Sequence, residues 1–261
     1  MGKIYTIANQ KGGVGKTTTA INLGAYLAQL GQRVLLVDLD PQANATSSLG
    51  IDKNQVRGGT YQSILGDGSV KKSILKNPKL NLSILPSSPE LAGAEVELVN
   101  EVGRENLLRR SLTSIQDEYD YLIIDCPPSL GLLTLNGLVA ARDGVLIPVQ
   151  CEYLAMEGIS QLVSTIERVR RVIFPKLKIR GVIMTMFDGR TNLAGDVVAE
   201  IQKFFGDQVF ETIIPRSVRL AEAPSYGVPI HMYSPGSRGA KAYRELAEEL
   251  LEEDQENRPG V

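Results

Sequence analysis

Runs of apolar residues alternate along this chain with stretches in which apolar residues recur at helical spacing. Such alternation is typical of a parallel sheet whose two faces are both covered by helices. The pattern therefore predicts an α/β fold with a doubly wound, mostly parallel twisted sheet. The predicted strands are Ile4–Ala8, Arg33–Asp38, Leu80–Leu85, Tyr121–Asp125, Gly144–Val149, Ile179–Met186 and Val209–Ile214. The predicted helices are Thr17–Leu30, Arg104–Ile115, Leu132–Ala141, Ala155–Val172, Ala194–Phe205 and Gly239–Glu253.

The alternation continues with no internal repeat and no linker, so we predict a single domain over residues 1–253. Residues 44–79 are mixed and polar, and we expect short helical pieces there at most. Residues 254–261 are polar and include Pro259 and Gly260, which predicts a flexible C-terminal tail.

Composition narrows the class of protein. The chain of 261 residues is 43% hydrophobic and 22% charged, which is ordinary for a soluble globular protein. Its net charge of −2 provides no global basic field, so any nucleic-acid binding must come from a local patch. Two cysteines suit a reducing cytosol, and a single histidine disfavours a histidine-based metal site. No apolar run reaches the roughly 18 residues of a membrane span, and the first strand begins without a signal peptide, so we predict a cytoplasmic protein.

The most informative segment is residues 9–18, which read Asn-Gln-Lys-Gly-Gly-Val-Gly-Lys-Thr-Thr. It lies between the first predicted strand and the first predicted helix. Glycines let backbone N–H groups converge on an anion, and the N-terminus of the helix adds positive potential. Lys16 can reach terminal phosphates, and Thr17 can place its hydroxyl on Mg²⁺. The segment therefore predicts a loop that binds nucleotide phosphates.

This loop differs from the usual pattern G-x-x-x-x-G-K-[ST], which would require glycine where Gln10 stands. The sequence K-G-G-x-G-K-T, with an additional lysine at Lys11, resembles the deviant Walker A motif of the ParA/MinD class of ATPases. The resemblance implies a P-loop NTPase domain that binds ATP and Mg²⁺. It also implies that Lys11 crosses a dimer interface to the partner's nucleotide, and that Lys11 and Lys16 are catalytic. The implied ATP-binding residues are Lys11, Gly12, Gly13, Val14, Gly15, Lys16, Thr17 and Thr18.

Two apolar strands end in aspartate, at the edge of a parallel sheet where ligands bind. Asp38 and Asp40 lie in the stretch D-x-D-P-Q, which resembles the switch I motif of ParA proteins. The resemblance implies that Asp40 positions the attacking water and that Asp38 lies near the metal shell, while a strand-end capping role for Asp38 stays open. Asp125 ends the stretch Y-L-I-I-D, which resembles a Walker B motif. This implies that Asp125, with Thr17, holds Mg²⁺ directly or through water.

Other strand ends offer weaker candidates. The family resemblance places Met186 and Pro215 near the adenine ring, although both residues also suit structural roles in turns and core. Cys126 follows Asp125, and in the related nitrogenase iron protein cysteines near this strand hold an iron–sulfur cluster. Such a cluster requires suitably paired cysteines, so we instead predict that Cys126 and Cys151 are buried apolar residues.

Arginines follow the late strand exits, and guanidinium groups suit bidentate contacts with phosphate oxygens. The stretches D-G-R-T-N and I-P-R-S-V-R-L-A-E-A-P resemble chromosomal ParA (Soj-type) proteins. That resemblance implies that Arg190 and Arg219 contact DNA without sequence preference in an ATP-bound dimer. Arg216 and Arg238 are further candidates for the same surface.

The C-terminal helix is amphipathic but acidic, whereas a membrane-targeting helix carries Lys and Arg on its polar face. Membrane binding of the MinD type is therefore disfavoured. The resemblance as a whole implies a partitioning ATPase that forms an ATP-bound homodimer on double-stranded DNA of the nucleoid. A ParB-like partner would stimulate hydrolysis and release the DNA. The alternatives are a positioning ATPase that acts on membrane or protein cargo, an iron–sulfur reductase and a biosynthetic P-loop ligase.

Overall fold

A seven-stranded sheet forms the centre of the computed structural model, which describes residues 2–66, 69–153 and 155–256. The strands are β1 (Lys3–Ile7), β2 (Val34–Asp38), β3 (Leu75–Asn77), β4 (Leu82–Leu85), β5 (Tyr121–Asp125), β6 (Gly144–Gln150) and β7 (Ile179–Thr185). Their order across the sheet is β3-β4-β2-β5-β1-β6-β7, and only the edge strand β3 runs antiparallel to its neighbour. The predicted α/β fold with a mostly parallel sheet is confirmed.

Helices cover both faces of this sheet. They are α1 (Lys16–Gln29), α2 (Asn44–Ser48), α3 (Thr60–Leu65), α4 (Val70–Ser73), α5 (Leu91–Glu97), α6 (Leu107–Thr113), α7 (Leu132–Ala140), α8 (Ala155–Val172), α9 (Asn192–Phe205), α10 (Val218–Glu222), α11 (Ile230–Tyr233) and α12 (Arg238–Glu256). None of these helices combines the length and apolar character that crossing a membrane requires.

The two faces follow from the alternation of side chains along each strand. On β1, Tyr5 and Ile7 pack in the same hydrophobic cluster as α1 and α12, whereas Ile4 packs in the cluster of α7 and α8. The parallel register brings the carboxyl ends of β1, β2 and β5 together, with Asp38 opposite Asp125. The candidate residues at the strand ends therefore share one edge of the sheet.

The prediction of a strand over Val209–Ile214 is wrong, although the segment runs beside β7. Isolated bridges near its two ends, and a hydrogen bond from the Ile214 N–H to the Met184 carbonyl at 2.8 Å, join it to β7 and to the residues that follow β7. Between these bridges, the backbone N–H groups of Glu211 and Thr212 donate to the Glu249 carboxylate of α12, at 2.6 and 3.1 Å. Since a side chain replaces the neighbouring strand as acceptor, the ladder is interrupted.

Other boundaries shift for local reasons. Strand β4 begins at Leu82 because Asn81 adopts a left-handed φ of 50°. Residues 44–79 contain the predicted short helices, and also strand β3, which the pattern of apolar residues does not predict. Helix α12 continues past residue 253 and buries Asp254, so three residues assigned to the tail are helical. Residues 257–261 of the predicted tail lie outside the described residues.

Candidate functional site

The loop after β1 forms a cradle of backbone groups at the N-terminus of α1. Gly13 and Gly15 take φ values of 77° and 90°, which other residues rarely adopt. The Thr19 N–H donates to the Gly15 carbonyl at 2.8 Å, so the helix begins directly after the loop. The Thr185 hydroxyl donates to the Val14 carbonyl at 2.9 Å and fixes the loop to the end of β7. Such a helix N-terminus favours an anion.

Two lysines belong to this loop and are held differently. Lys16 is 7% exposed, and its Nζ donates to the Lys11 carbonyl at 3.2 Å. Burial lowers the pKa of Lys16, and the negative charge of Asp125 opposes that shift. Lys11 is half-buried, and its side chain lies beside Gly158 of α8, where an added Cβ would be 3.5 Å from the Lys11 Cβ. Lys16 therefore lies within the cradle, whereas Lys11 lies against α8.

Two cavities meet at the cradle. The first has a volume of about 240 Å³ and is lined by Gly12, Gly13, Gly15, Lys16, Thr17, Thr18, Asp40, Asn44, Pro128 and Met186. The second, of about 320 Å³, is mostly apolar and includes Ile214, Pro215, Val218 and Tyr243 in its lining. Gly15, Thr18 and Met186 line both cavities, so the two are contiguous. A polar compartment beside an apolar one suits a molecule with phosphates at one end and an aromatic ring at the other.

Asp38 is fully buried and is hydrogen-bonded within its own loop. Its Oδ2 accepts from the Thr46 N–H at 2.8 Å and from the Thr46 hydroxyl at 2.7 Å, and its Oδ1 accepts from the Asp40 N–H at 3.2 Å. Burial raises the pKa of Asp38 to about 6, and the hydrogen bonds from Thr46 oppose the shift. Asp38 thus shapes the loop that carries Asp40, which is the strand-end role left open by the sequence.

Asp125 is equally buried, but neither of its carboxylate oxygens has a hydrogen-bond partner among the described residues. Burial raises the pKa of Asp125 well above its usual range, and the charge of Asp38 adds to the increase. The Thr17 hydroxyl lowers that pKa, although it is not at hydrogen-bond geometry with either oxygen. A buried carboxylate without partners is costly unless a ligand completes its contacts.

These oxygens fit Mg²⁺, which prefers oxygen ligands and usually takes several of them from phosphate and water. Within the described ranges, no group of three His, Cys, Asp or Glu side chains could hold a metal ion alone. An ion at Asp125 and Thr17 would therefore depend on a bound phosphate for further ligands. Cys126 and Cys151 are both buried and unpaired, as predicted.

Comparisons with known proteins identify the family. A family model described as an AAA domain matches residues 2–179. The chain is 55% identical to the sporulation initiation inhibitor protein Soj of Bacillus subtilis (strain 168), over 96% of this chain and 98% of Soj. It is 52% identical to the chromosome partitioning protein ParA of Myxococcus xanthus (strain DK1622), over 99% of this chain and 91% of that protein. The chain belongs to the Soj/ParA family.

A solved structure shares the fold of this Soj/ParA-family chain. Cobyrinic acid a,c-diamide synthase from Mycobacterium smegmatis, with bound ADP and magnesium, is 40% identical, with a TM-score of 0.87 over 99% of this chain and 97% of that chain. Another structure of that protein contains an ATP analogue and magnesium. Together with the identities to Soj and ParA, this shared fold confirms the resemblance to the ParA/MinD class of P-loop ATPases.

The four arginines that the Soj/ParA resemblance assigns to DNA are exposed and lie outside the cavities, except that Arg216 also borders the apolar cavity. Three of them form ion pairs: Arg190 with Asp188 at 2.6 Å, Arg216 with Glu152 at 3.2 Å and Arg219 with Glu222 at 2.9 Å. The Arg190 guanidinium lowers the pKa of Asp188 to about 2. Arg238 forms no ion pair with any described residue and begins α12. The next residue of α12, Gly239, packs closely against Leu220 of α10, since a Cβ atom added to Gly239 would lie 2.8 Å from the Leu220 side chain. Arg219 and Arg238 therefore lie on two elements in direct contact.

Sequence reasoning missed several residues of the site in this Soj/ParA-family chain. Asn44 and Pro128 line the polar cavity, and only their positions after strand ends could have indicated them. Val218 and Tyr243 close the apolar cavity from α10 and α12. The Tyr243 hydroxyl lies 3.0 Å from that of Thr19 on α1. The two residues are more than 200 positions apart in the sequence, so no local pattern predicts this contact.

Proposed function

We propose that this protein is a Mg²⁺-dependent ATPase of the ParA type, which couples ATP binding and hydrolysis to DNA association in chromosome partitioning. One observation carries the proposal. Asp125 is buried without a hydrogen-bond partner among the described residues, and it lies beside a phosphate cradle that opens into contiguous polar and apolar cavities. The 55% identity to Soj, across almost the whole chain, supports the partitioning role.

The cradle would bind the phosphates of ATP through Lys16 and the backbone N–H groups of residues 11–18. Bound Mg²⁺ supplies charge neutralisation at the phosphate oxygens. Thr17 and Asp125 would hold it. Asp38 would lie near the ion without binding it directly, since both oxygens of Asp38 accept hydrogen bonds from Thr46 and Asp40. The adenine would occupy the apolar cavity beside Met186 and Pro215.

Asp40 is the residue that we propose to orient the attacking water. It is 6% exposed and lines the polar cavity. Its Oδ1 accepts from the Gln42 N–H at 2.9 Å, and its own N–H donates to Asp38. The carboxylate is therefore held by its loop before any nucleotide arrives, which favours a fixed position for the water.

ATP binding would produce a homodimer in which Lys11 of each subunit reaches the phosphates bound by the other. Within the described residues Lys11 has no ion-pair partner, so its ammonium group is available for such a contact. A cation that approaches the phosphates from a second subunit stabilises the charge that develops during transfer. This contact would couple ATP binding to formation of the dimer.

The exposed arginines would then bind double-stranded DNA without sequence preference. Within one subunit, carboxylates partly neutralise three of these arginines and so weaken the positive potential of the surface. The pairs are Arg190 with Asp188, Arg216 with Glu152 and Arg219 with Glu222. Exposed ion pairs are weak because water screens them, so phosphates can replace these carboxylates at little cost. Two patches in one dimer would bind where one does not, and a ParB-like partner that stimulates hydrolysis would release the DNA. The protein would be cytoplasmic and associated with the nucleoid.

The test is binding of the full chain to random-sequence duplex DNA with ATP, with ADP and without nucleotide, at low and high salt. We expect binding only with ATP and a steep decrease with salt, because contacts to phosphates release counterions. Arg219→Ala should retain ATP-dependent dimerisation but lose DNA affinity and have a shallower salt slope. Arg244→Ala is the matched control, since Arg244 is also exposed and paired within its helix, at 2.9 Å from Glu248.

Unchanged binding by the Arg219→Ala variant would assign Arg219 a structural role. Absence of DNA binding in every nucleotide state would contradict the DNA-linked function. Liposome sedimentation would then test membrane cargo. ATPase stimulation by small carboxylic acids and an amide donor would test a ligase, the class named by the solved structure of the diamide synthase.

A further inference from the structure

A groove between α7 and α8 is not used by the proposed function. Its volume is about 330 Å³, and it is lined mainly by apolar side chains, among them Leu135 and Leu138 of α7 and Val169 and Val172 of α8. Val172 is 77% exposed at its margin. A volume of this size is at the lower end of the range of cavities that bind small ligands, about 300 to 1,000 Å³.

The basic margin of this α7–α8 groove is formed by Arg168, and two neighbouring segments of the chain are rich in further cations. Arg168 lines the groove, and the guanidinium of Arg109 lies 4.8 Å from the centroid of the Phe174 ring, just beyond α8. Residues 104–116 and 165–178 contain eight exposed cations and two glutamates, on a chain whose net charge is −2. The cations are Arg104, Arg109, Arg110, Arg168, Arg170, Arg171, Lys176 and Lys178.

These cations differ from three of the four arginines assigned to DNA. Among the described residues, none of the eight forms an ion pair with a carboxylate, whereas Arg190, Arg216 and Arg219 each do. Arg168 has no carboxylate partner among the described residues and lies beside the apolar lining of the groove, which therefore offers a cation and apolar side chains at one place. A ligand that satisfies both must present carboxylates next to apolar side chains.

We infer that the α7–α8 groove binds an acidic amphipathic segment of a partner protein. Apolar side chains of that segment would enter the groove, and its carboxylates would pair with Arg168 and Arg109. A second copy of this chain does not fit, because its acidic helix α12 buries Leu246 and Leu250 in its own core. A nucleic-acid backbone would use the cations but leave the apolar groove unfilled.

The test selects displayed random peptides of about 16 residues against the full chain, a length that spans a helix-in-groove contact. We expect the enriched peptides to combine apolar residues at helical spacing with a negative net charge. One enriched peptide is then synthesised with a fluorophore and titrated by anisotropy. Its affinity should fall about tenfold or more for Val172→Asp and for Arg168→Glu, as expected for loss of a central contact.

Matched controls separate this surface from general effects of charge and polarity. Val96 is 76% exposed on α5, so Val96→Asp repeats the same change elsewhere, and Arg244→Glu repeats the charge reversal. Both controls should keep the affinity within about twofold. Thermal melting confirms that all four variants are folded.

The inference would be overturned by selection of basic or uncharged peptides, by no enrichment, or by equal binding to the groove variants and the controls. Loss of duplex-DNA binding by Arg168→Glu with no effect of Val172→Asp would instead assign the basic margin to DNA. Peptide binding is measured without ATP or DNA, so the outcomes of the peptide experiments do not depend on the partitioning function.

Discussion

Replacement of Asp254 by alanine should destabilise the protein markedly, although Asp254 lies near the end of the last helix. Asp254 is 4% exposed. Its carboxylate accepts from the Tyr5 hydroxyl at 2.6 and 2.8 Å, from the Tyr121 hydroxyl at 3.1 Å and from Arg180 at 3.3 Å. One carboxylate thus connects α12 to β1, β5 and β7.

The expected loss of unfolding free energy follows from the buried groups that no longer have the Asp254 carboxylate as a partner. Hydrogen bonds to a charged group contribute about 1.5 to 3 kcal/mol each, and desolvation of the carboxylate offsets part of their sum. Removal of one partner from a buried charged cluster costs about 3 to 5 kcal/mol. Arg180 retains an ion pair with Glu253 at 2.6 Å, which favours the lower end of that range. In a protein of this size, a loss of about 3 kcal/mol lowers the melting temperature by roughly 6 to 12 °C.

The assay is thermal unfolding of the nucleotide-free protein, followed by circular dichroism, with urea titration as a second measure. Glu252→Ala is the control, because Glu252 is exposed on the same helix two residues earlier. Asp254→Asn should fall between the wild type and Asp254→Ala, since its amide can still accept from one tyrosine. If Asp254→Ala melts within about 2 °C of Glu252→Ala, the carboxylate does not anchor the helix and the reasoning is wrong.

Two further predictions concern the site. Asp125→Asn should raise the stability of the nucleotide-free protein while abolishing Mg²⁺-dependent ATPase activity. Burial raises the pKa of Asp125, so the wild type loses stability as pH rises from about 4, where the unfolded carboxyl ionises, towards the folded pKa. The advantage of the variant should therefore increase between pH 4 and neutrality in melting curves, and a constant difference would contradict this. Asp40→Ala should retain ATP binding and nucleotide-dependent dimerisation but lose turnover, as measured with a fluorescent ATP analogue, gel filtration and phosphate release. Normal turnover would remove Asp40 from the proposed role.

Local signals accounted for much of the fold and for the cradle. The loop after β1 is contiguous in sequence, and its glycines adopt the positive φ angles that their positions require. Asp38 and Asp125 were found because parallel strands bring their carboxyl ends to one edge. The failure at Val209–Ile214 has the opposite cause, since the Glu249 carboxylate that interrupts the ladder comes from a distant helix.

The sequence by itself therefore determined the alternation of strands and helices, the phosphate loop and the strand ends that carry acidic residues. These features depend on side-chain periodicity and backbone geometry over a few neighbouring residues. Only the tertiary structure decided that Asp125 has no hydrogen-bond partner in the described part of the chain, while Asp38 accepts hydrogen bonds from Thr46. The positions of Tyr243 in the lining of the apolar cavity and of Asp254 between α12 and the sheet are likewise evident only from the tertiary structure. Hydrogen bonding and burial depend on which distant side chains meet, and periodicity along the chain does not specify that.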